Sequence, residues 1–137
     1  MQVIDLNNEL LLDGAMGSLL MERANLPVGY KLEKLNIENP DIVKSVHNDY
    51  LKAGSNVIFT NTFGLNRYNF DNSNLKNLIL AAIKLAKECA KNYNSYVALD
   101  IGPLGKLIGD GGITFDEAYN AYKEIITTAY DTTDLIV

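Results

Sequence analysis

The stretch LLLDGAMGSLL, residues 10–20, decides how the rest of this sequence is interpreted. Its apolar start is typical of a buried strand, and the glycines at 14 and 17 lead into a segment with helical spacing of apolar residues. An acid, Asp13, joins the two parts. A strand that only fills a core needs no carboxylate at its end, so we interpret Asp13 as a functional residue at a strand-to-helix turn.

Apolar runs alternate with helical patterns along the whole chain. Continuous apolar runs, typical of parallel strands buried on both faces, predict strands over 9–13, 56–60, 96–100 and 134–137. Apolar spacing and capping residues predict a helix that begins near Ala15, and further helices over 39–54, 73–93 and 114–130. This alternation predicts an α/β fold with a parallel sheet and crossover helices. Periodicity alone leaves two alternatives open, a barrel and an open doubly wound sheet.

Length and charge narrow the function further. The 137 residues predict one domain without an internal boundary, and the net charge of −5 argues against nucleic acid or an anionic membrane as the main partner. No apolar run is long enough to span a membrane, and residues 1–9 lack the features of a signal peptide. The single cysteine cannot form an internal disulfide, which favours a reducing cytoplasm. We therefore expect a cytoplasmic protein whose partner is a small molecule.

Polar residues follow the predicted strands at their carboxyl ends. The first strand ends in Asp13, the second runs into TNTFG (60–64), and the third ends in DIGPLG (100–105). Because α/β folds place their sites at this edge, the carboxylates of Asp13 and Asp100 suit a ligand ammonium group, with hydrogen bonds from Asn61 and Thr62. The backbone N–H groups of the helix near Ala15 suit a ligand carboxylate. Together they predict an α-amino acid site; the alternative is that both acids are only helix N-caps.

Four segments, in order, resemble the homocysteine S-methyltransferase family. They are LLDGAMGSLL (11–20), ENPDIVKSVHNDYLKAGSNVIFTNTFGLNR (38–67), ALDIGPLGKLI (98–108) and GGITFDEAYNAYKE (111–124). The motifs NTFG and DIGPLGK are most similar to the cobalamin-dependent branch, whose methionine synthases carry an N-terminal homocysteine-binding domain.

The resemblance implies a (β/α)8 TIM barrel that binds L-homocysteine at its carboxyl-terminal rim and methylates its sulfur to form methionine. It implies a zinc ion, held by three cysteines, that favours the substrate thiolate, and cobalamin and methyltetrahydrofolate for the parent protein. Carried over by position, the substrate-binding residues are Asp13, Ala15, Met16, Gly17, Asn61 and Asp100.

The family's zinc cysteines have no counterpart in this sequence. We therefore expect residues 1–137 to form the N-terminal half of the barrel, about four βα units truncated in the fourth strand, with no catalytic residue and no metal ligand of its own. We expect Cys89 to be a small half-buried core residue and His47 to be a satisfied or surface histidine. Such a half-barrel would be inactive alone, and the rest of the barrel or a second copy of the chain would cover its exposed edges. The alternative function is a self-associating binding or assembly module without catalysis.

Overall fold

The apolar runs pair as parallel strands in a computed structural model that describes residues 9–109 and 111–137. The strands are β1 (Val57–Phe59), β2 (Tyr96–Leu99) and β3 (Leu135–Ile136), in the order β1-β2-β3. The α/β class is therefore confirmed. Residues 1–8, which carry most of the segment in which we predicted no signal peptide, lie outside the described residues.

The four predicted helices are present and begin close to the predicted positions, and a short helix at Leu35–Glu38 was not predicted. The helices are α1 (Met16–Ala24), α2 (Leu35–Glu38), α3 (Pro40–Lys52), α4 (Asn72–Ala90) and α5 (Phe115–Ala129), with 3-10 turns at Leu32–Lys34 and Lys91–Tyr93. The predicted capping box of α5 is present, since Thr114 and Glu117 satisfy each other's backbone N–H groups. Within the described ranges, no helix has the length and apolarity needed to cross a membrane.

The first predicted strand is reduced to one isolated bridge, between Leu12 and Val57. Two backbone bonds form this bridge, from the Val57 N–H to the Leu11 carbonyl (3.2 Å) and from the Asp13 N–H to the Val57 carbonyl (3.0 Å). We predicted that this segment is buried on both faces. That prediction is wrong, because Leu11 and Leu12 are 56% and 51% exposed. The described residues place a neighbour on only one side of it, and a strand is stabilised by neighbours that cover both sides.

The order of the strands is that of a sheet wound in one direction. The segment at Leu12 pairs with β1, β1 with β2 and β2 with β3, and every pair is parallel. A doubly wound sheet reverses its strand order at a switch point, whereas a barrel adds each strand on the same side. The described strands follow the second pattern, which periodicity alone did not distinguish.

Helices α3, α4 and α5 cover one face of the sheet. Ile58 of β1 and Val97 of β2 pack with Leu51 of α3 and with small residues of α4. Leu99 of β2 belongs to a second cluster, formed with α4 and α5. Burial of these aliphatic side chains contributes about 1.5–3 kcal/mol each, so the helical layer holds the strand ends in register.

His47 of α3 is fully buried, and neither of its ring nitrogens has a hydrogen-bond partner. The prediction of a satisfied or surface histidine is therefore wrong. Periodicity placed His47 beside the apolar face of its helix, and the structure places it inside. Burial lowers the pKa of His47 to about 4, so the imidazole is neutral in the folded chain at physiological pH.

Acid should destabilise the fold through His47. Between pH 6.5 and 4 the unfolded chain binds a proton at this residue and the folded chain does not, so stability falls as the pH falls. Relative to a His47→Leu variant, the wild type should lose about 2 kcal/mol of unfolding free energy between pH 7.5 and 5. Urea unfolding of both proteins at the two pH values measures this difference. Titration of the carboxyl groups affects both proteins equally and therefore cancels in the comparison. Parallel pH profiles would contradict the account.

Candidate functional site

A cavity of about 270 Å³ lies at the carboxyl ends of the strands. Three segments line it, 14–17, 32–33 and 59–63, together with Asp100. The structure thus brings together five of the six residues predicted to form the site: Ala15, Met16, Gly17, Asn61 and Asp100.

The sixth residue, Asp13, lies behind this lining and holds the end of β1. Its Oδ2 accepts a hydrogen bond from the Phe59 N–H at 3.0 Å, while its Oδ1 is buried without a hydrogen-bond partner. Burial raises the pKa of Asp13 to about 6; the bond from Phe59 opposes this shift and the charge of Asp100 adds to it. A buried carboxylate with one unpartnered oxygen is a place where a cation is stabilising.

Asp100 follows β2 directly and faces the same cavity. Burial also raises the pKa of this carboxyl. Neither acid caps a helix, because the N-cap of α1 is Ala15 and the N-cap of α5 is Thr114. The alternative interpretation of both acids as N-caps is therefore wrong, and the two carboxyl groups lie at one site without a described cation between them.

The amino end of α1 also lines the cavity. Ala15 is its N-cap and makes no side-chain hydrogen bond to the first turn. The N–H groups of a first helical turn have no partner within the helix and carry the positive end of its dipole. Met16 and Gly17 belong to this turn and line the cavity, so an anionic group of a ligand would be stabilised there.

The two glycines of the opening motif are needed for close packing and not for an unusual turn, since neither has a positive φ. A Cβ atom on Gly14 would lie 2.9 Å from the Tyr50 hydroxyl oxygen, which donates to the Ala15 carbonyl. A Cβ atom on Gly17 would lie 3.3 Å from Leu32. The absence of a Cβ atom at both positions therefore leaves room for neighbouring side chains at the start of α1.

A wall that sequence reasoning missed closes the cavity beside Asn61. The Asn61 amide nitrogen donates to the Leu32 carbonyl and to Asn36 Oδ1, both at 3.0 Å, and Asn36 Nδ2 donates to the Asn61 carbonyl at 2.9 Å. Glu33 accepts from the Gly64 N–H at 2.7 Å. Asn61 therefore uses both of its amide hydrogens inside the protein and offers a ligand only its oxygen. The wall comes from a 3-10 turn and a four-residue helix, which have no periodicity to predict them.

Metal ligands are absent from the described ranges, 9–109 and 111–137, in which no group of three or more His, Cys, Asp or Glu side chains is arranged to hold a metal ion. Cys89 is buried on α4, where its thiol contacts the Lys44 carbonyl at 3.9 Å. Cys89 and His47 both lie in the helical layer. The residues of this chain do not fit a three-cysteine zinc site.

A larger cleft, of about 470 Å³, lies between α2 and the amino end of α4. Lys31, Lys34, Glu38, Phe70 and Asp71 are among its lining residues. It shares no lining residue with the smaller cavity and contains none of the predicted site residues. Its charges of both signs are solvent-exposed, whereas the acids of the smaller cavity are partly desolvated, so the smaller cavity is the candidate site.

Parallel strands wound in one direction, with two acids and a helix amino end at their carboxyl edge, define an α/β domain with a candidate ligand site. The family model for homocysteine S-methyltransferase matches residues 10–137. The chain therefore belongs to the homocysteine S-methyltransferase family.

Individual relatives agree with this membership. The chain is 31% identical over 123 residues to a homocysteine S-methyltransferase of Escherichia coli, a match that covers 80% of this chain and 40% of the relative. It is also 31% identical over 112 residues to an S-methylmethionine–homocysteine S-methyltransferase of Pongo abelii, covering 82% of this chain and 27% of the relative. The chain therefore spans less than half the length of these curated relatives.

Solved structures show the same fold. The metallated form of the Escherichia coli homocysteine methyltransferase MmuM superposes with a TM-score of 0.78 at 23% identity, covering 94% of this chain and 53% of that chain. The oxidized form gives a TM-score of 0.77 at 25% identity, covering 93% and 51%. The described α/β fold thus matches about half of a homocysteine methyltransferase.

Asp13→Asn should stabilise the chain at neutral pH. Because the folded-state pKa of Asp13 is raised, its contribution to stability is present below pH 3.8 and is lost as the pH rises through about 6. The variant keeps an oxygen for the Phe59 N–H and has no charge to desolvate. It should be about 1 kcal/mol more stable than wild type at pH 7.5, since solvent screening of a partly exposed carboxyl reduces the full linkage value. Chemical unfolding at pH 7.5 and 4 measures the gain, which should nearly vanish at pH 4; a gain that grows in acid would contradict the assignment.

Proposed function

We propose that this chain supplies the amino-acid end of the homocysteine pocket in an enzyme that methylates homocysteine to form methionine. The observation that carries the proposal is the presence of both charge preferences at the 270 Å³ cavity: Asp100 and the uncapped start of α1 line it, and Asp13 lies behind the lining. An α-amino acid carries an ammonium and a carboxylate on one carbon, so it matches the acids and the helix end at once.

The ammonium group would lie at the two acids. Oδ1 of Asp13 is buried without a hydrogen-bond partner, and burial disfavours the ionised form of both carboxyl groups. A cation bound there gives Oδ1 of Asp13 a partner and favours the ionised form of both acids. Part of the free energy lost in desolvating the two carboxylates is thereby recovered when the cation binds. Of the two acids, Asp100 lines the cavity itself and is the contact that we assign to the ammonium.

The rest of homocysteine fits the remaining lining. The carboxylate would accept hydrogen bonds from the N–H groups of the first turn of α1, at Met16 and Gly17. Apolar surface from Leu32, Phe59 and Phe63 lines the same cavity and suits the two methylene groups that carry the thiol. These residues bind and orient the substrate, and none of them is a nucleophile or a general base for the transfer.

Zinc is the metal that the family resemblance implies for activation of the thiol. This chain has one cysteine and one histidine, and neither lies at the cavity, so we propose that the metal ligands lie outside it. The methyl donor also stays a prediction: cobalamin and methyltetrahydrofolate rest on the motifs at 61–64 and 100–106. A cytoplasmic location is part of the same proposal.

We propose that the described residues are the first half of a (β/α)8 barrel. Two observations support this proposal: the match to about half of a homocysteine methyltransferase, and the exposure of apolar residues at both outer strands. Leu11 and Leu12 at one edge and Ile136 and Val137 at the other are more than one-third exposed. The remaining strands of the barrel, or a second copy of the chain, would cover them.

Calorimetric titration with L-homocysteine tests the proposal. The wild-type chain should bind it with the same affinity in the presence and absence of zinc. Asp100→Asn, and the analogue 4-mercaptobutanoate, which lacks the amino group, should each weaken binding by at least tenfold, because each removes one partner of a charge-assisted hydrogen bond.

Asp116→Asn is the matched control, since it removes an exposed acid from α5, outside the cavity. This variant should bind homocysteine as the wild type does. Equal affinities for homocysteine and 4-mercaptobutanoate would contradict the assigned ammonium site. Binding that requires zinc would contradict the placement of the metal ligands outside this chain.

A further inference from the structure

Thr60 and Thr62 form a closed hydrogen-bond circuit with the backbone of Asp100. The two threonines follow β1 and are 2% and 1% exposed. Their hydroxyl oxygens are 2.6 Å apart. The Thr62 hydroxyl donates to the Asp100 carbonyl at 2.7 Å, and the Asp100 N–H donates to the Thr60 hydroxyl oxygen at 3.2 Å.

The direction of each hydrogen bond follows from counting protons. A hydroxyl has one hydrogen to donate, and that of Thr62 is used by the Asp100 carbonyl. Thr60 must therefore be the donor between the two hydroxyls. Neither threonine has a hydrogen left for a ligand, so the expectation that Thr62 donates to the substrate is replaced by a role within the protein.

At the point where backbone pairing between β1 and β2 ends, the threonine side chains make the hydrogen bonds that backbone groups would otherwise make. The Thr60 N–H still donates to the Ala98 carbonyl at 2.9 Å, as in a regular parallel ladder. The next bond of such a ladder would run from the Asp100 N–H to the Thr60 carbonyl, and the structure directs it to the Thr60 side chain instead. Both backbone polar groups of Asp100 are thereby held by a neighbouring strand end.

We propose that Thr60 and Thr62 are positioning residues that hold the Asp100 backbone in place, so that its carboxylate lies where it can meet the substrate ammonium group. This inference rests on the proposed function, which assigns the ammonium to Asp100. An acid whose backbone is already held loses less conformational freedom on binding, so its hydrogen bond contributes more affinity than that of an acid on a mobile backbone.

Substitution of threonine by valine removes the hydroxyl and keeps the shape of the side chain. We expect Thr62→Val to weaken L-homocysteine binding about tenfold and Thr62→Ser, which restores the hydroxyl, to bind within twofold of wild type. Thr133→Val is the matched control, because Thr133 is 4% exposed and donates its hydroxyl hydrogen to the Ala129 carbonyl, away from the cavity. That variant should lose stability and keep its affinity.

Amide hydrogen exchange separates positioning from general destabilisation. In Thr60→Val and Thr62→Val, exchange of the Asp100 amide should accelerate at least tenfold more than exchange of the Ile58 amide in β1, whereas Thr133→Val should not change that ratio. Unchanged homocysteine affinity in Thr62→Val would overturn the inference, and so would an unchanged Asp100 exchange ratio. A wild type that fails to bind homocysteine would overturn the proposed function, and the exchange ratio would still decide whether the circuit positions Asp100.

Discussion

Two side-chain oxygens end the parallel ladder at a common edge, and the site depends on them. Oδ2 of Asp13 accepts the Phe59 N–H, and the Thr60 hydroxyl accepts the Asp100 N–H, each in the place of the next main-chain carbonyl. Buried N–H groups without partners would cost about 1–3 kcal/mol each. Because side chains satisfy them, the backbone can leave the sheet at Gly14 and Asn61 and enclose a cavity.

The same arrangement creates a conflict between stability and binding. Asp13 and Asp100 are partly desolvated beside each other, and burial raises the pKa of both. Burial disfavours the ionised form of both acids at neutral pH, and a bound cation would offset this cost. Under the proposed function, the ammonium group of an amino acid would be that cation.

The sequence predicted what depends on local pattern and missed what depends on neighbours. Helices α3, α4 and α5 follow from apolar spacing and capping, and the carboxyl edge follows from the polar residues that end each apolar run. The segment at Leu32 and Glu33 is too short to show a hydrophobic periodicity, so the sequence pattern could not predict it. The burial of His47 and the shortening of the first strand depend on what packs beside them, and a periodic pattern does not contain that information.

An NMR titration of the isotope-labelled chain with L-homocysteine tests the central claim most directly, because the two cavities share no residue. We predict that the largest amide shifts occur at Met16, Gly17 and Asp100, which line the smaller cavity. Shifts concentrated at Lys34, Phe70 and Asn74, which line the larger cleft, would contradict the account and place the ligand site between α2 and α4.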